Sequence, residues 1–258
     1  MVSSEVRSPE FVQSLERGLS VIRSFSRESP ALTLTEIADR TGLTRAAARR
    51  FLLTLRDMGY VASDGRLFSL RPRVLELGYS YLSSLPVWEI ARPHLEHLAD
   101  LVQETTSASV LDGSDIVFVA RVETKRIMSM TLGVGSRLPA WATAMGRVLL
   151  AELPPHQLDD YFSRVRLLPL NGRTITDQAS LRQIIDRTRT DGWTLVDGEI
   201  EEGVRSLAVP LRSPDGRAEA ALTVCSHAFR VSVERIMDEF LPLVTETSRR
   251  ITAELTRR

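Results

Sequence analysis

The chain has 258 residues, 43% of them hydrophobic and 26% charged, with 33 basic residues balanced by 33 acidic ones. These proportions describe a folded globular protein of one large domain or two modest ones, and they exclude a disordered or fibrous chain. A net charge of zero argues against a uniformly basic nucleic-acid binder, but not against a basic segment offset by an acidic one.

No run approaches the roughly 18 apolar residues that a membrane helix needs. The N-terminal "MVSSEVRSPEF" carries acids and lacks the apolar core of a secretory signal, so a cytoplasmic location and no membrane partner are expected. Cys225 is the sole cysteine, which precludes an internal disulfide and fits a reducing compartment. His94 and His97 are the only close histidine pair. At i,i+3 on a helix they can hold a metal, but without a third ligand nearby they read as an exposed helix face, and no metal or cofactor is expected.

Residues 11–27 set Phe11, Leu15, Leu19, Ile22 and Phe25 at helical spacing, the apolar stripe of a first helix. After the breaker "ESPAL", a second helix is expected with its cap at Thr33 or Thr35, Ile37 and Ala38 buried, and Gly42 as its stop. Thr44 caps a third, "RAAARRFLLTLRDMG", ended by Gly59. Two helices joined by a tight glycine turn form the helix-turn-helix pattern. "YVASDGRLFSL" follows as a β-hairpin turning at Asp64 and Gly65, completing a winged helix-turn-helix over residues 1–71. Residues 1–73 hold 12 arginines and 8 acids, a surplus of four positive charges. The neutral chain is therefore a basic module joined to an acidic one.

A linker helix is expected over 72–86, and after Pro86 a second domain over 87–258. Its first helix runs to about residue 105, with Trp88, Leu95, Leu98 and Leu101 on one side. Then come β-rich runs ("SASVLDG", "DIVFVARVE", "IMSMTL"), a loop "GVGSRLPAW" and a helix "TAMGRVLLAEL". Helices near 154–164 and 177–191 precede strands "WTLVD", "VRSLAVPLRS" and "AEAALTVCS", the last two joined by a turn at Pro214, Asp215 and Gly216. A closing helix from Ser232 to Leu255 places Val233, Ile236, Phe240, Leu243, Thr247 and Ile251 on one face. The fold class is α+β.

At 100° per residue, Arg45, Arg49 and Arg56 fall within about 40° of arc on the third helix, opposite Ala47, Phe51, Leu55 and Met58. One face packs and the other is free to meet DNA. A recognition helix contacts bases through its N-terminal turns, so Thr44, Arg45, Ala46, Arg49 and Arg50 are the candidate readers, with Thr33 at the start of the second helix and Arg66 at the hairpin tip as further candidate contacts and Arg56 farther off. Arginine suits the task because its fork donates two hydrogen bonds to guanine or phosphate. All basic residues but Lys125 are arginine, so a merely solvated face is the competing reading, and the helix-turn-helix context decides against it.

Among enzyme signals, no glycine-rich phosphate loop, "GxSxG" elbow or metal-spaced cluster is present. The run "DGEIEEG" supplies acids but reads as a charged loop. A small-molecule enzyme or sensor using the winged helix for protein contacts is the alternative class. One junction has a binding rationale: after Pro139 a helix starts near Ala142 or Thr143, and its unpaired N–H groups favour a carboxylate. Arg137 is near enough to add charge, while Met130, Leu138, Trp141 and Met145 supply apolar walls.

The segments "FVQSLERGLSVIRSF", "LTLTEIADRTGLTRAAARRFLLTLRDMGYV", "LPAWATAMGRVLLA" and "EEGVRSLAVPL", in order along essentially the whole chain, resemble the IclR family of bacterial transcription regulators. The central stretch is most similar to the subgroup governing protocatechuate, 4-hydroxybenzoate and β-ketoadipate metabolism. The resemblance implies a GAF-like α/β effector domain that binds a small organic acid, double-stranded operator DNA as partner, and a homodimer or dimer of dimers. It implies a pocket formed by Ile127, Met130, Leu138, Ala144, Met145, Asp197, Val204, Ser206, Thr223 and Cys225, with the Ala144 and Met145 N–H groups receiving the carboxylate. The chain departs from the pattern in having Trp141 where several members have histidine, Arg147 where they have lysine, and Gly198 where an acid is frequent. An aromatic side chain at 141 points to an aromatic or larger ligand.

Overall fold

In the computed structural model, residues 8–84, 86–124, 132–213 and 215–256 are described. The chain divides into two compact units between Tyr81 and Leu82.

In the first unit, α1 (Gln13–Arg23), α2 (Leu34–Thr41) and α3 (Arg45–Asp57) pack around Val21, Leu32, Ile37, Ala48, Leu52 and Val61. Thr33 begins α2 with a capping box: its hydroxyl accepts from the Glu36 N–H and its own N–H donates to the Glu36 carboxylate. Gly42, at φ 65°, ends α2 in the left-handed conformation that glycine adopts without strain. Thr44 caps α3 through the Ala47 N–H.

Three details differ from expectation. The "ESPAL" stretch contributes a strand, β1 (Ala31–Thr33), which joins β2 (Val61–Ser63) and β3 (Leu67–Leu70) in the order β1-β3-β2. The wing turn centres on Gly65 and Arg66, because Asp64 anchors it by accepting from the Arg66 and Leu67 N–H groups. The buried line of α3 runs through Ala48, Leu52 and Leu55, leaving Met58 half exposed. Leu15 and Leu19 along α1, and Phe11 just before it, are likewise exposed. Beyond the wing, a 3-10 turn (Pro72–Val74) leads into α4 (Leu75–Leu82).

The second unit is a six-stranded antiparallel sheet with helices on both faces. Its strands are β4 (Thr105–Asp112), β5 (Asp115–Val122), β6 (Arg137–Pro139), β7 (Thr194–Asp197), β8 (Val204–Arg212) and β9 (Ala218–His227). They lie in the order β6-β5-β4-β9-β8-β7. Alternation along a strand sends neighbouring residues to opposite faces. On β8 and β9, Leu207, Val209, Leu222 and Val224 meet α5 (Pro86–Val102) and the closing helix, while Ala208 and Ala221 meet the other layer. That layer comprises α6 (Ala144–Ala151), α7 (Pro155–Arg164) and α8 (Gln178–Asp191). The expected loop before α6 contains β6, paired with β5 from Asp115↔Pro139 to Val117↔Arg137.

Pro86 begins α5, which buries Leu95 and Leu98 but leaves Leu101 half exposed. The closing helix comprises α9 (Val233–Arg235), a π turn (Ile236–Phe240) and α10 (Leu241–Leu255). The π turn takes up an extra residue, so after Phe240 the buried positions are Val244, Ser248 and Ile251, not Leu243 and Thr247.

Candidate functional site

The solvent face of α3 carries Arg45, Ala46, Arg49 and Arg50, with Thr44 at its start, all exposed; Arg66 is exposed at the wing tip. Most arginines of the second unit are committed to carboxylates, for example Arg137 to Asp112, Arg212 to Glu152 and Arg230 to Glu104. Among the described residues no ion pair engages Arg45, Arg49, Arg50 or Arg66, whereas Arg56 is held by Asp57 at 3.1 Å. Unpaired guanidinium groups on one helix face keep their donors available for phosphates and base edges. The hydroxyls of Thr33 and Thr44 are already engaged as helix caps.

In the second unit a cavity opens between the sheet and the start of α6. Its floor is polar: Ser107 on β4, Arg121 on β5, Ser206 on β8, and Thr223 and Cys225 on β9. Strand register sets these residues in adjacent rungs, Ser107 opposite both Arg121 and Thr223, and Ser206 opposite Cys225. The walls are apolar, from Phe118, Leu132, Leu138, Met145, Val196 and Val204, with Ile200 and Glu201 from the loop between β7 and β8. Thr143 caps α6 by accepting from the Gly146 N–H at 2.9 Å. The Ala144 and Met145 N–H groups stand at the positive end of the helix beside the cavity, where an anion is favoured. Ser206 donates to the Cys225 sulfur at 3.4 Å. Burial pushes the Cys225 thiol above its ordinary pKa, partly offset by that hydrogen bond.

The start of α6 is held by two close contacts. The 3-10 turn Ala140–Ala142 folds back so tightly that a Cβ on Gly146 would clash with the Ala140 carbonyl oxygen. The Arg147 fork, 1% exposed, donates to both carboxylate oxygens of Glu199 at 2.7 and 2.6 Å, while its Nε donates to the Trp141 carbonyl. The Ile175 N–H donates to the same carboxylate. Glu199 thereby ties the loop bearing Ile200 and Glu201 to the helix that covers the cavity.

Comparison with known proteins matches residues 79–253 to the bacterial transcriptional regulator IclR C-terminal family and residues 14–65 to the IclR helix-turn-helix domain. The chain belongs to the IclR family. It is a transcriptional regulator of the helix-turn-helix class that binds DNA, not an enzyme. It is 43% identical over 248 residues to the Pca regulon regulatory protein of Pseudomonas putida, covering 96% of this chain and 85% of that protein. It is 34% identical over 251 residues to the p-hydroxybenzoate hydroxylase transcriptional activator of Acinetobacter baylyi, covering 95% and 93%. A solved IclR homolog from Microbacterium hydrocarbonoxydans, complexed with 4-hydroxybenzoate, superposes with a TM-score of 0.85 at 26% identity, covering 95% of this chain and all of that one.

The IclR-family cavity includes Leu138, Ala144, Met145, Val204, Ser206, Thr223 and Cys225 of the residues expected from sequence. Ile127 and Met130 lie outside the described residues, as does the "IMSMTL" run except Leu132. Three expected residues are not on the lining. Arg137 points to the β4–β5 hairpin, where Asp112 and Asp115 hold it, because it alternates with Leu138 along β6. Trp141, 4% exposed, belongs to the core between α6 and α7, and the Tyr161 hydroxyl accepts from its N–H. Asp197 pairs across the sheet with Arg205 at 3.1 Å. Sequence reasoning missed Arg121, Phe118, Ser107, Val196, Ile200 and Glu201. The lone arginine in "DIVFVARVE" was the available signal, obscured by a β-bulge at Val119. Among the described residues no helix is long and apolar enough to cross a membrane.

Proposed function

We propose that this IclR-family regulator controls a catabolic operon in response to a small aromatic acid bound in the cavity of its second unit. The observation that carries this reading is the cavity itself: apolar walls, a polar floor, and two helix N-terminal N–H groups at one end. In this arrangement the carboxylate sits against Ala144 and Met145, the ring lies between Phe118, Leu138 and Val204, and Ser206 and Thr223 meet polar substituents. The names of the similar Pseudomonas and Acinetobacter regulators, and the 4-hydroxybenzoate held by the Microbacterium homolog, support the aromatic class.

The working division is residues 1–71 as DNA reader, 72–86 as linker helix and 87–258 as effector domain. Operator recognition falls to Arg45, Ala46, Arg49 and Arg50, with Arg66 at the wing. Exposed apolar side chains on α1 (Leu15, Leu19) and its N-cap Val12, and on α4 (Leu75, Leu77, Tyr79), favour a homodimer gripping two half-sites, with pairing of dimers as a further level. The effector changes DNA occupancy by binding one quaternary arrangement more tightly than the other. The test is a thermal-shift titration with benzoic acids, paired with binding to the DNA upstream of the gene at several salt concentrations. Stabilisation by an acid and a steep salt slope are expected; no acid response would refute the sensor reading, and no sequence-preferring DNA binding would refute the operator reading.

A further inference from the structure

The β-bulge on β5 changes which residues face the ligand. Alternation from Phe118 would put Ala120 and Val122 on the cavity side, but Ala108 pairs with Ala120 while Ser109 pairs with Phe118, leaving Val119 as the extra residue. Beyond the bulge the faces exchange. Ala120 joins the opposite core, and Arg121 lines the cavity with its side chain only 7% exposed.

A buried guanidinium needs partners for its donors, and those of Arg121 are incompletely met. Its Nε donates to the Glu123 carboxylate at 3.0 Å, and that acid is 63% exposed. Its Nη1 reaches the Ser107 hydroxyl only at 3.4 Å, and Nη2 has no hydrogen-bond partner among the described residues. Glu201 also lines the cavity and is the sole carboxylate among the described lining residues.

We propose that Arg121 determines effector specificity by donating to a second oxygen function, a hydroxyl or a second carboxylate, on the part of the ligand remote from the carboxylate at α6. This rests on the effector reading above. The two donor sites sit on different elements, the first turn of α6 and the β5 edge of the floor. A ligand with one acid group satisfies only the first; a ligand with a second acceptor oxygen satisfies both. Glu201 then separates the two chemistries, since it accepts from a hydroxyl and repels a carboxylate.

The experiment is calorimetric titration of the full-length protein with benzoate, 4-hydroxybenzoate and adipate. The intact protein should bind at least one of the latter two about tenfold or more tighter than benzoate, the scale of a hydrogen bond to a charged group. Arg121→Met should abolish that preference while leaving benzoate affinity within about twofold, and Arg121→Lys should restore part of it. Glu201→Gln should shift the ratio toward adipate. Equal affinity for all three acids, or a proportional loss for all three in Arg121→Met and Arg121→Lys, would overturn the proposal. Binding of none of them would instead strike the effector reading on which it rests.

Discussion

Arg147→Met tests the ion pair that joins α6 to the loop over the cavity. Methionine keeps the length and apolar stem but removes the charge, stranding Glu199 at 6% exposure with only the Ile175 N–H donating to its carboxylate. Removing one partner of a buried pair costs about 3–5 kcal/mol, because the remaining charge stays desolvated. At roughly 2–4 °C per kcal/mol for a domain of this size, the melting temperature should fall by about 6–20 °C. Adding Glu199→Leu removes the stranded charge and should recover at least ~2 kcal/mol. Recovery stays incomplete because the Ile175 N–H and the Trp141 carbonyl then lack their partners. Urea unfolding followed by tryptophan fluorescence isolates the effect, since Trp88, Trp141 and Trp193 all lie beyond residue 81. A loss under ~1 kcal/mol in Arg147→Met, or a double variant no more stable than the single one, would show that the pair does not hold this junction.

Four further outcomes follow from the geometry. Arg49→Ala should weaken operator binding by at least ~1 kcal/mol and lower the salt slope by about one, measured by gel shift at fixed salt and then across salt; unchanged affinity removes Arg49 from the reading face. Gly146→Ala forces a methyl against the Ala140 carbonyl and should cost roughly 1–3 kcal/mol or more of second-unit stability in the same urea assay; a neutral result would mean the turn yields freely. Hydrogen bonds from Leu67 and Arg66 hold the Asp64 carboxyl below its ordinary pKa, so its support of the wing is present above about pH 4 and lost as pH falls through the lowered native value. Protection of the Arg66 and Leu67 amides, taken relative to the intrinsic exchange rate at each pH, should therefore fall on acidification, and in Asp64→Ala should be low at every pH; protection that persists unchanged to low pH would remove Asp64 as the anchor of the wing. Cys225, with its thiol pKa raised by burial, should react slowly with iodoacetamide at pH 7.5 and more slowly still with effector bound; an unprotected thiol would place the effector elsewhere.

Local chemistry made the reader legible from sequence. The capping threonines Thr33 and Thr44, the glycine stop at Gly42 and the arginine face of α3 each depend on residues a few positions apart, and the structure keeps them as read. The start of α6 was legible for the same reason, expected near Ala142 or Thr143 and found at Ala144 behind the Thr143 cap. The sequence also separated the +4 reader from the acidic remainder, which a net charge of zero concealed.

What faces the cavity was a tertiary decision. Arg137, Leu138 and Trp141 are neighbours in sequence, yet β6 turns Arg137 toward Asp112 and the 3-10 turn sends Trp141 into the core, leaving Leu138 on the lining. Arg121 and Glu201, 80 positions apart, meet one cavity because the sheet places β5 and the β7–β8 loop around it. Periodicity reports a side chain's face only while the register holds. One extra residue at Val119 and another in the π turn of the closing helix shift every later face, and such insertions are settled by the partner strand or the packing surface rather than by local propensity.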